Sequence, residues 1–296
     1  MKQLYGVTTA MVTPFNKDGK VDLVAVKELV EFLISKDVTC LYPLGTTGEM
    51  YRLSVDERKA VAETVVKQAG GRVTVFIHVG SMCQNDTIEL AQHASKIGAD
   101  GIGVVTPSFF TVSDREMEEY YVAVSNSIPG DFPMYLYNIP QCSANDLKAD
   151  VAQKIADRCS NVIGIKYSYP DFLRTNEYLE INNGKFSVLV GTDRLFDAAL
   201  AIGCSGVVSG VSCVYPEPFV AIYKAFIKGN FEEARRMQRI ATRYCEILRC
   251  GSNMSYFKEA IKMRGINAGY MRIPQLDITQ EEKDKLYKEL GNIKEI

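Results

Sequence analysis

Two rhythms of apolar positions alternate along the chain. Short apolar runs, the mark of buried strands, are followed by stretches with apolar residues at i, i+3, i+4 and i+7, the mark of one-sided helices. Val7 to Val12 reads as a first strand, and Val26, Leu29, Val30 and Leu33 give the first helical stripe. Thr39 to Leu44 is a second strand. Ser54 with Glu57 makes a capping box that opens a helix to Gln68, where Gly70-Gly71 stops it. Val73 to Val79 is strand three, followed by a helix from Asn85 to Ile97. Gly101 to Val105 is strand four. Ser113 with Glu116 caps the next helix, whose stripe is Met117, Tyr120, Tyr121 and Val124. Pro133 to Tyr137 is strand five, and a helix from Asp146 to Arg158 leads to strand six, Val162 to Lys166. A helix from Asp171 to Ile181, a strand from Phe186 to Val190, a helix to Ile202, a short strand from Gly206 to Val208 and a helix from Pro216 to Lys228 complete the series.

Eight strand–helix units in succession predict a (β/α)8 barrel over residues 1–228. An open doubly wound sheet is the alternative, but no Gly-x-Gly-x-x-Gly follows an early strand. After Gly229 the strands cease. Phe231 to Arg249, Met254 to Met263 and Thr279 to Leu290 read as helices, with Thr279 and Glu282 capping the last, so residues 229–296 are expected to form a helical appendage.

Composition narrows the function. The 296 residues are 47% hydrophobic and 24% charged with a net charge of −2, an ordinary soluble profile without the basic surplus of a nucleic-acid binder. No apolar run approaches the length of a membrane span, and Met1 to Phe15 reads as a first strand rather than a signal peptide. Eight scattered cysteines form no Cys-x-x-Cys pair and read as reduced cytosolic thiols, mostly core fillers. The two histidines, His78 and His93, are far apart in sequence, and no metal-ligand cluster is visible. Carbonyl chemistry on this chain is therefore expected to proceed without metal or cofactor.

The residues suited to such chemistry sit where strands end. Lys166 closes the apolar run Val162-Ile163-Gly164-Ile165. A lysine enclosed by apolar walls loses hydration of its ammonium form, and a neutral amine can attack a ketone to form an imine. Taken alone, such a lysine more commonly snorkels into water. Gly45-Thr46-Thr47-Gly48 after strand two offers small residues and two hydroxyls to an anion, or else is merely a tight turn. Tyr137 ends strand five beside Lys166 and is either a proton carrier or a core tyrosine. Gly191 and Asp193 after strand seven and Ser209-Gly210 after strand eight offer polar positions for a substrate tail, although an aspartate there is as often a helix cap. Jointly, an anion cradle, a tyrosine and a strand-end lysine are what a metal-free aldolase acting on a 2-oxo acid requires.

Gly45-Thr46-Thr47-Gly48-Glu49, Tyr137-Asn138-Ile139-Pro140 and Gly164-Ile165-Lys166, in this order and spacing, resemble the dihydrodipicolinate synthase / N-acetylneuraminate lyase family over essentially the whole chain. The resemblance implies that Lys166 forms the Schiff base with pyruvate, that Tyr137 relays protons, that Thr46 and Thr47 meet the pyruvate carboxylate and the relay, and that Gly191 and Val208 lie near the pyruvyl group. It also implies a cytoplasmic homotetramer built as a dimer of dimers. Two departures stand out. The lysine-pathway synthases carry an arginine for the second substrate's carboxylate where this chain has Cys142, and a tyrosine donated across the dimer where Thr106-Pro107-Ser108-Phe109-Phe110 offers only phenylalanines. Sialic acid lyases carry an acidic pair after strand seven, whereas here Asp193 is followed by Arg194. The expectation is a class I aldolase joining or splitting pyruvate and an aldehyde, first on a 2-keto-3-deoxy sugar acid or N-acetylneuraminate-like substrate. The alternatives are a 4-hydroxy-tetrahydrodipicolinate synthase and a non-catalytic pyruvate-binding barrel.

Overall fold

The computed structural model describes residues 1–293. Eight parallel strands close into a barrel in chain order, β8 pairing back with β1. They are β1 Gly6–Ala10, β2 Cys40–Tyr42, β3 Thr74–His78, β4 Gly101–Val105, β5 Met134–Asn138, β6 Val162–Tyr167, β7 Ser187–Val190 and β8 Gly206–Ser209. Outward-facing strand residues such as Leu41, Leu136, Ile165 and Val188 meet the helices in one continuous core. Inward-facing residues fill the barrel itself: Cys40, Tyr42, Phe76, Tyr135, Leu189 and Val208 form a separate interior cluster. The rings need room, and glycines opposite supply it. A Cβ on Gly103 would stand 1.8 Å from the Tyr42 hydroxyl, so that ring lies flat across the barrel only because position 103 is bare.

The three capping boxes read from sequence all form: Ser54 with Glu57, Ser113 with Glu116 and Thr279 with Glu282 each satisfy two orphan N–H groups at a helix start. Gly70 ends its helix in the left-handed conformation at φ 55°. Two expected helices are shorter than their patterns suggest. The one expected from Asp146 begins at Ala149, because the Asn138 amide donates to Asp146 Oδ1 and to the Leu147 carbonyl and draws those residues toward the barrel. The one expected from Asp171 to Ile181 spans Phe172–Leu179, with Asp171 as its cap and left-handed Asn182 and Asn183 beyond it.

The tail helices Phe231–Ile247, Met254–Met263 and Gln280–Gly291 contain no strand, and their apolar faces (Ala241, Leu248, Phe257, Leu286) join the same core as the barrel. A buried ion pair fastens them to the catalytic face. Lys258 Nζ stands 2.7 Å from Glu49 Oε1, both side chains being 1% exposed. Lys258 also donates to the Tyr270 carbonyl, and Arg52 donates to the second Glu49 oxygen at 2.6 Å. Removing one partner of such a pair leaves an uncompensated buried charge. Lys258→Ala is therefore expected to lower unfolding free energy by about 3–5 kcal/mol. Urea denaturation checks this, and a change below about 1 kcal/mol would reduce the pair to a passive contact.

Candidate active site

Strand parity decides which side chains meet at the C-terminal mouth of the barrel. In β5 and β6 the residues at 135, 137, 164 and 166 point inward, and Tyr137 pairs in register with Lys166. Lys166 is 5% exposed. Its Nζ lies 4.0 Å from the centre of the Tyr137 ring and 5.4 Å from that of Tyr42. Among the described residues no carboxylate comes within ion-pair distance of it. Two aromatic faces thus enclose the amine, and no counter-ion fixes it.

The Tyr137 hydroxyl shares a hydrogen bond of 3.1 Å with Thr46 Oγ1. Thr46 belongs to a tight turn: Glu49 N–H donates to the Thr46 carbonyl, and Met50 N–H to that of Gly45. Thr13 Oγ1 donates to the Gly48 carbonyl at 2.8 Å and pins the turn to the end of β1. Its other anchor is His78, fully buried, whose Nδ1–H donates to the Leu44 carbonyl at 3.0 Å. Burial, with the Arg58 and Lys166 charges adding to it, holds the His78 pKa well below the ordinary imidazole value, so the ring is a neutral strut.

These groups border one cavity of about 410 Å³, which Thr46, Thr47, Tyr137, Lys166, Gly191, Asp193 and Val208 all line. Gly191 has to be glycine: a Cβ there would fall 1.8 Å from Ser168 Oγ and 3.1 Å from Lys166 Cε. Ser209 is set apart. It is fully buried and does not line the cavity, its Oγ accepting from the Ser212 N–H at 2.8 Å. The polar position expected of it is filled by local structure. Asp193 lines the cavity but draws its carboxyl inward. Oδ2 accepts from Val211 N–H at 3.1 Å, while Oδ1 is buried without a hydrogen-bond partner.

Burial raises the Asp193 pKa to about 6, against the opposing pull of the nearby Ser209 hydroxyl, the Val211 N–H and the Lys166 charge. The ionised carboxylate would offset positive charge on the lysine nitrogen. Activity is therefore expected to fall as pH drops through about 6, and Asp193→Asn should remove that limb of the pH–rate profile. The sign separates this from unfolding. A carboxyl whose folded pKa exceeds its unfolded value of 3.8 gives the folded state more bound protons between 3.8 and 6, so its contribution to stability grows as pH falls across that window. A limb that persists in Asp193→Asn would assign the titration to another group.

The two departures from the family pattern take different positions. Cys142 lines the cavity, and burial pushes its thiol pKa up, so it is neutral. Phe109 and Phe110 do not line it. They are 73% and 74% exposed, their rings edge to face at 5.0 Å, with Phe109 at a left-handed φ of 76°. Asn145 holds their loop by donating to the Pro107 and Phe110 carbonyls.

Several site residues were not legible in the sequence. Tyr42, buried behind the cavity, faces the lysine amine, and its only signal was its place at the end of β2. Cys245, Ser252, Met254 and Phe257 line the cavity from the helical tail, which carried no chemical signature. Gln141 contributes from a short helical turn, Pro140–Ser143, that begins with proline.

A closed (β/α)8 barrel that gathers a buried lysine, a tyrosine and a threonine pair at one mouth defines the class. The chain belongs to the dihydrodipicolinate synthetase family, whose profile matches residues 3–293, and it is a lyase-type pyruvate aldolase of that family. It is 33% identical over 291 residues to a 4-hydroxy-tetrahydrodipicolinate synthase from Methanocaldococcus jannaschii, spanning 97% of this chain and 99% of that one. Its fold matches the crystal structure of dihydrodipicolinate synthase from Aquifex aeolicus with a TM-score of 0.92 at 30% identity, covering 97% of each chain. It also matches, at 0.92 and 29% identity over 98% of each chain, a prophage protein of the dihydrodipicolinic acid synthase family from E. coli K12, solved in complex with pyruvate. No helix among the described residues is long and apolar enough to cross a membrane.

Proposed function

We propose that the chain condenses pyruvate with an aldehyde through an imine on Lys166, and that its particular activity is that of a 4-hydroxy-tetrahydrodipicolinate synthase. The observation that carries the imine is the Lys166 amine, enclosed by Tyr137 and Tyr42, without an ion-pair partner among the described residues and open to the cavity. The names of the relatives support the synthase better than the 2-keto-3-deoxy sugar acid that the sequence alone ranked first.

In this reading the Lys166 nitrogen attacks C2 of pyruvate, and water leaves as the imine forms. Thr46 and Thr47 hold the pyruvate carboxylate. Tyr137, linked to Thr46, takes a proton from the pyruvate methyl carbon to give an enamine. The enamine carbon attacks the aldehyde carbon, forming the C–C bond, and the alkoxide receives the proton back. An amine on the aldehyde partner then displaces Lys166 from C2 and closes a ring, with one water released overall. The chemistry draws on the imine alone and needs no cofactor. We also propose a cytoplasmic homotetramer, as the family resemblance implies; the exposed Phe109–Phe110 pair suits a subunit interface.

A coupled assay decides between substrates. Dihydrodipicolinate formation from pyruvate and aspartate semialdehyde is expected. Pyruvate release from a panel of 2-keto-3-deoxy acids, without that condensation, would restore the sugar-acid reading.

A further inference from the structure

The cavity wall carries a cation that the imine chemistry does not use. Lys166 is consumed by the imine, Arg174 is committed to Asp146 at 3.2 Å and Glu177 at 2.9 Å, and Arg52 and Lys258 are committed to Glu49. Arg194 lines the cavity, is exposed, and among the described residues has neither an ion pair nor a hydrogen bond. Its backbone is nonetheless fixed. The preceding residue is tied on two sides: the Gln238 amide donates to the Asp193 carbonyl at 3.1 Å, and Val211 N–H donates to the Asp193 side chain at 3.1 Å. Gln238 Oε1 accepts from Asp197 N–H and closes the turn from the other end. A guanidinium whose five donors no described residue takes up thus lines, from a fixed turn, a cavity whose lining also includes the uncharged Ile139, Cys142, Pro170 and Met254 and the inward-drawn carboxyl of Asp193.

We propose that Arg194 is the specificity-determining residue for the aldehyde partner, binding a carboxylate at that partner's far end. The assignment rests on the pyruvate-imine reading above. A planar guanidinium matches a carboxylate with two parallel hydrogen bonds, and it is always charged. It is the one unpaired strong cation on this wall among the described residues. A phosphate dianion, with three acceptor oxygens, would call for further cations beside it. A neutral hydroxyaldehyde would leave the guanidinium without an ionic partner. The charge expected at position 142 has therefore moved to the turn after β7, and an acidic aldehyde can still be held.

The test uses the full-length protein, pyruvate, and three short aldehydes that differ in their far-end group: 4-oxobutanoate, glyceraldehyde and glyceraldehyde 3-phosphate. The intact chain is expected to condense 4-oxobutanoate with the lowest KM of the three. Arg194→Gln is expected to raise that KM about 10- to 100-fold, the loss of one charge-assisted pair, while the KM for glyceraldehyde stays within threefold. Arg194→Lys should recover part of the loss, since it keeps the charge without the fork. Borohydride trapping of pyruvate on Lys166 is measured in the same samples. If the adduct forms in every variant and the 4-oxobutanoate KM is unmoved, the assignment of Arg194 is wrong and the imine reading stands. Preference for the phosphorylated or the neutral aldehyde also overturns the assignment. If no adduct forms in the unaltered chain, the imine reading fails and takes the assignment with it.

Discussion

Lys166→Met is expected to abolish turnover and to leave the protein without added mass after pyruvate and borohydride, whereas the unaltered chain is expected to gain one reduced pyruvyl adduct on Lys166. This is the largest effect expected of any single substitution, because it removes the bond-forming atom rather than a contributor to its environment. Methionine is the informative replacement. It keeps the unbranched stem between the Tyr137 and Tyr42 rings and deletes only the amine. Lys166 has no ion-pair partner among the described residues to be left stranded, so the fold should hold and stability should shift by no more than about 1 kcal/mol. Peptide mass mapping that places the adduct on Lys258 or another lysine, or residual turnover in Lys166→Met above a tenth of normal, would remove Lys166 from the mechanism.

The barrel was legible because its two periodicities do not overlap. Strands such as Val162 to Lys166 carry continuous apolar runs, since one face meets the helices and the other the barrel interior. Side-chain-to-backbone caps at Ser54, Ser113 and Thr279 are local chemistry, and local chemistry can be read one segment at a time. The failures have the opposite character. The late start of the helix at Ala149 depends on the Asn138 amide reaching forward to Asp146 and Leu147, a tertiary contact with no pattern of its own.

The site divided along the same line. That Lys166, Tyr137 and the threonine pair line one cavity could be read because each sits at or just after a strand end and the barrel topology assigns strand ends to one mouth. Ser209 was equally well placed in sequence, but the turn beyond β8 uses its oxygen to accept from Ser212, and only coordinates reveal which way a loop hydroxyl faces. Cys142 illustrates the limit of comparing one position with a family pattern. Its neutrality argued against an acidic partner as long as charge was sought only at that position. The guanidinium of Arg194, on a different strand's loop and unpaired among the described residues, lines the same cavity and, in the proposal above, supplies that charge.

Tyr137→Phe is expected to lower kcat by about 10²–10⁴-fold, the usual contribution of a positioned general acid–base group, while the KM for pyruvate moves by less than about threefold. The split follows from geometry. The phenyl ring that faces Lys166 at 4.0 Å survives the substitution, so the wall around the imine keeps its shape. What disappears is the hydroxyl and its 3.1 Å bond to Thr46 Oγ1. Thr46 is then free to hold the pyruvate carboxylate as before, so ground-state binding persists. Among the described residues no other hydroxyl shares a hydrogen bond with Thr46, so proton removal from the pyruvate methyl carbon loses its link to the cradle. His78 cannot take over: its ring meets Tyr137 edge-on at 5.8 Å, burial keeps it neutral, and Nδ1 is already committed to the Leu44 carbonyl. Thr46→Val distinguishes relay from packing. It strands the Tyr137 hydroxyl without deleting it, and should cost less than Tyr137→Phe, about tenfold in kcat. Borohydride trapping should remain intact in Tyr137→Phe even as condensation slows, because imine formation consumes the lysine's own lone pair. A kcat within threefold of normal would make Tyr137 a packing residue and move proton transfer to water in the cavity.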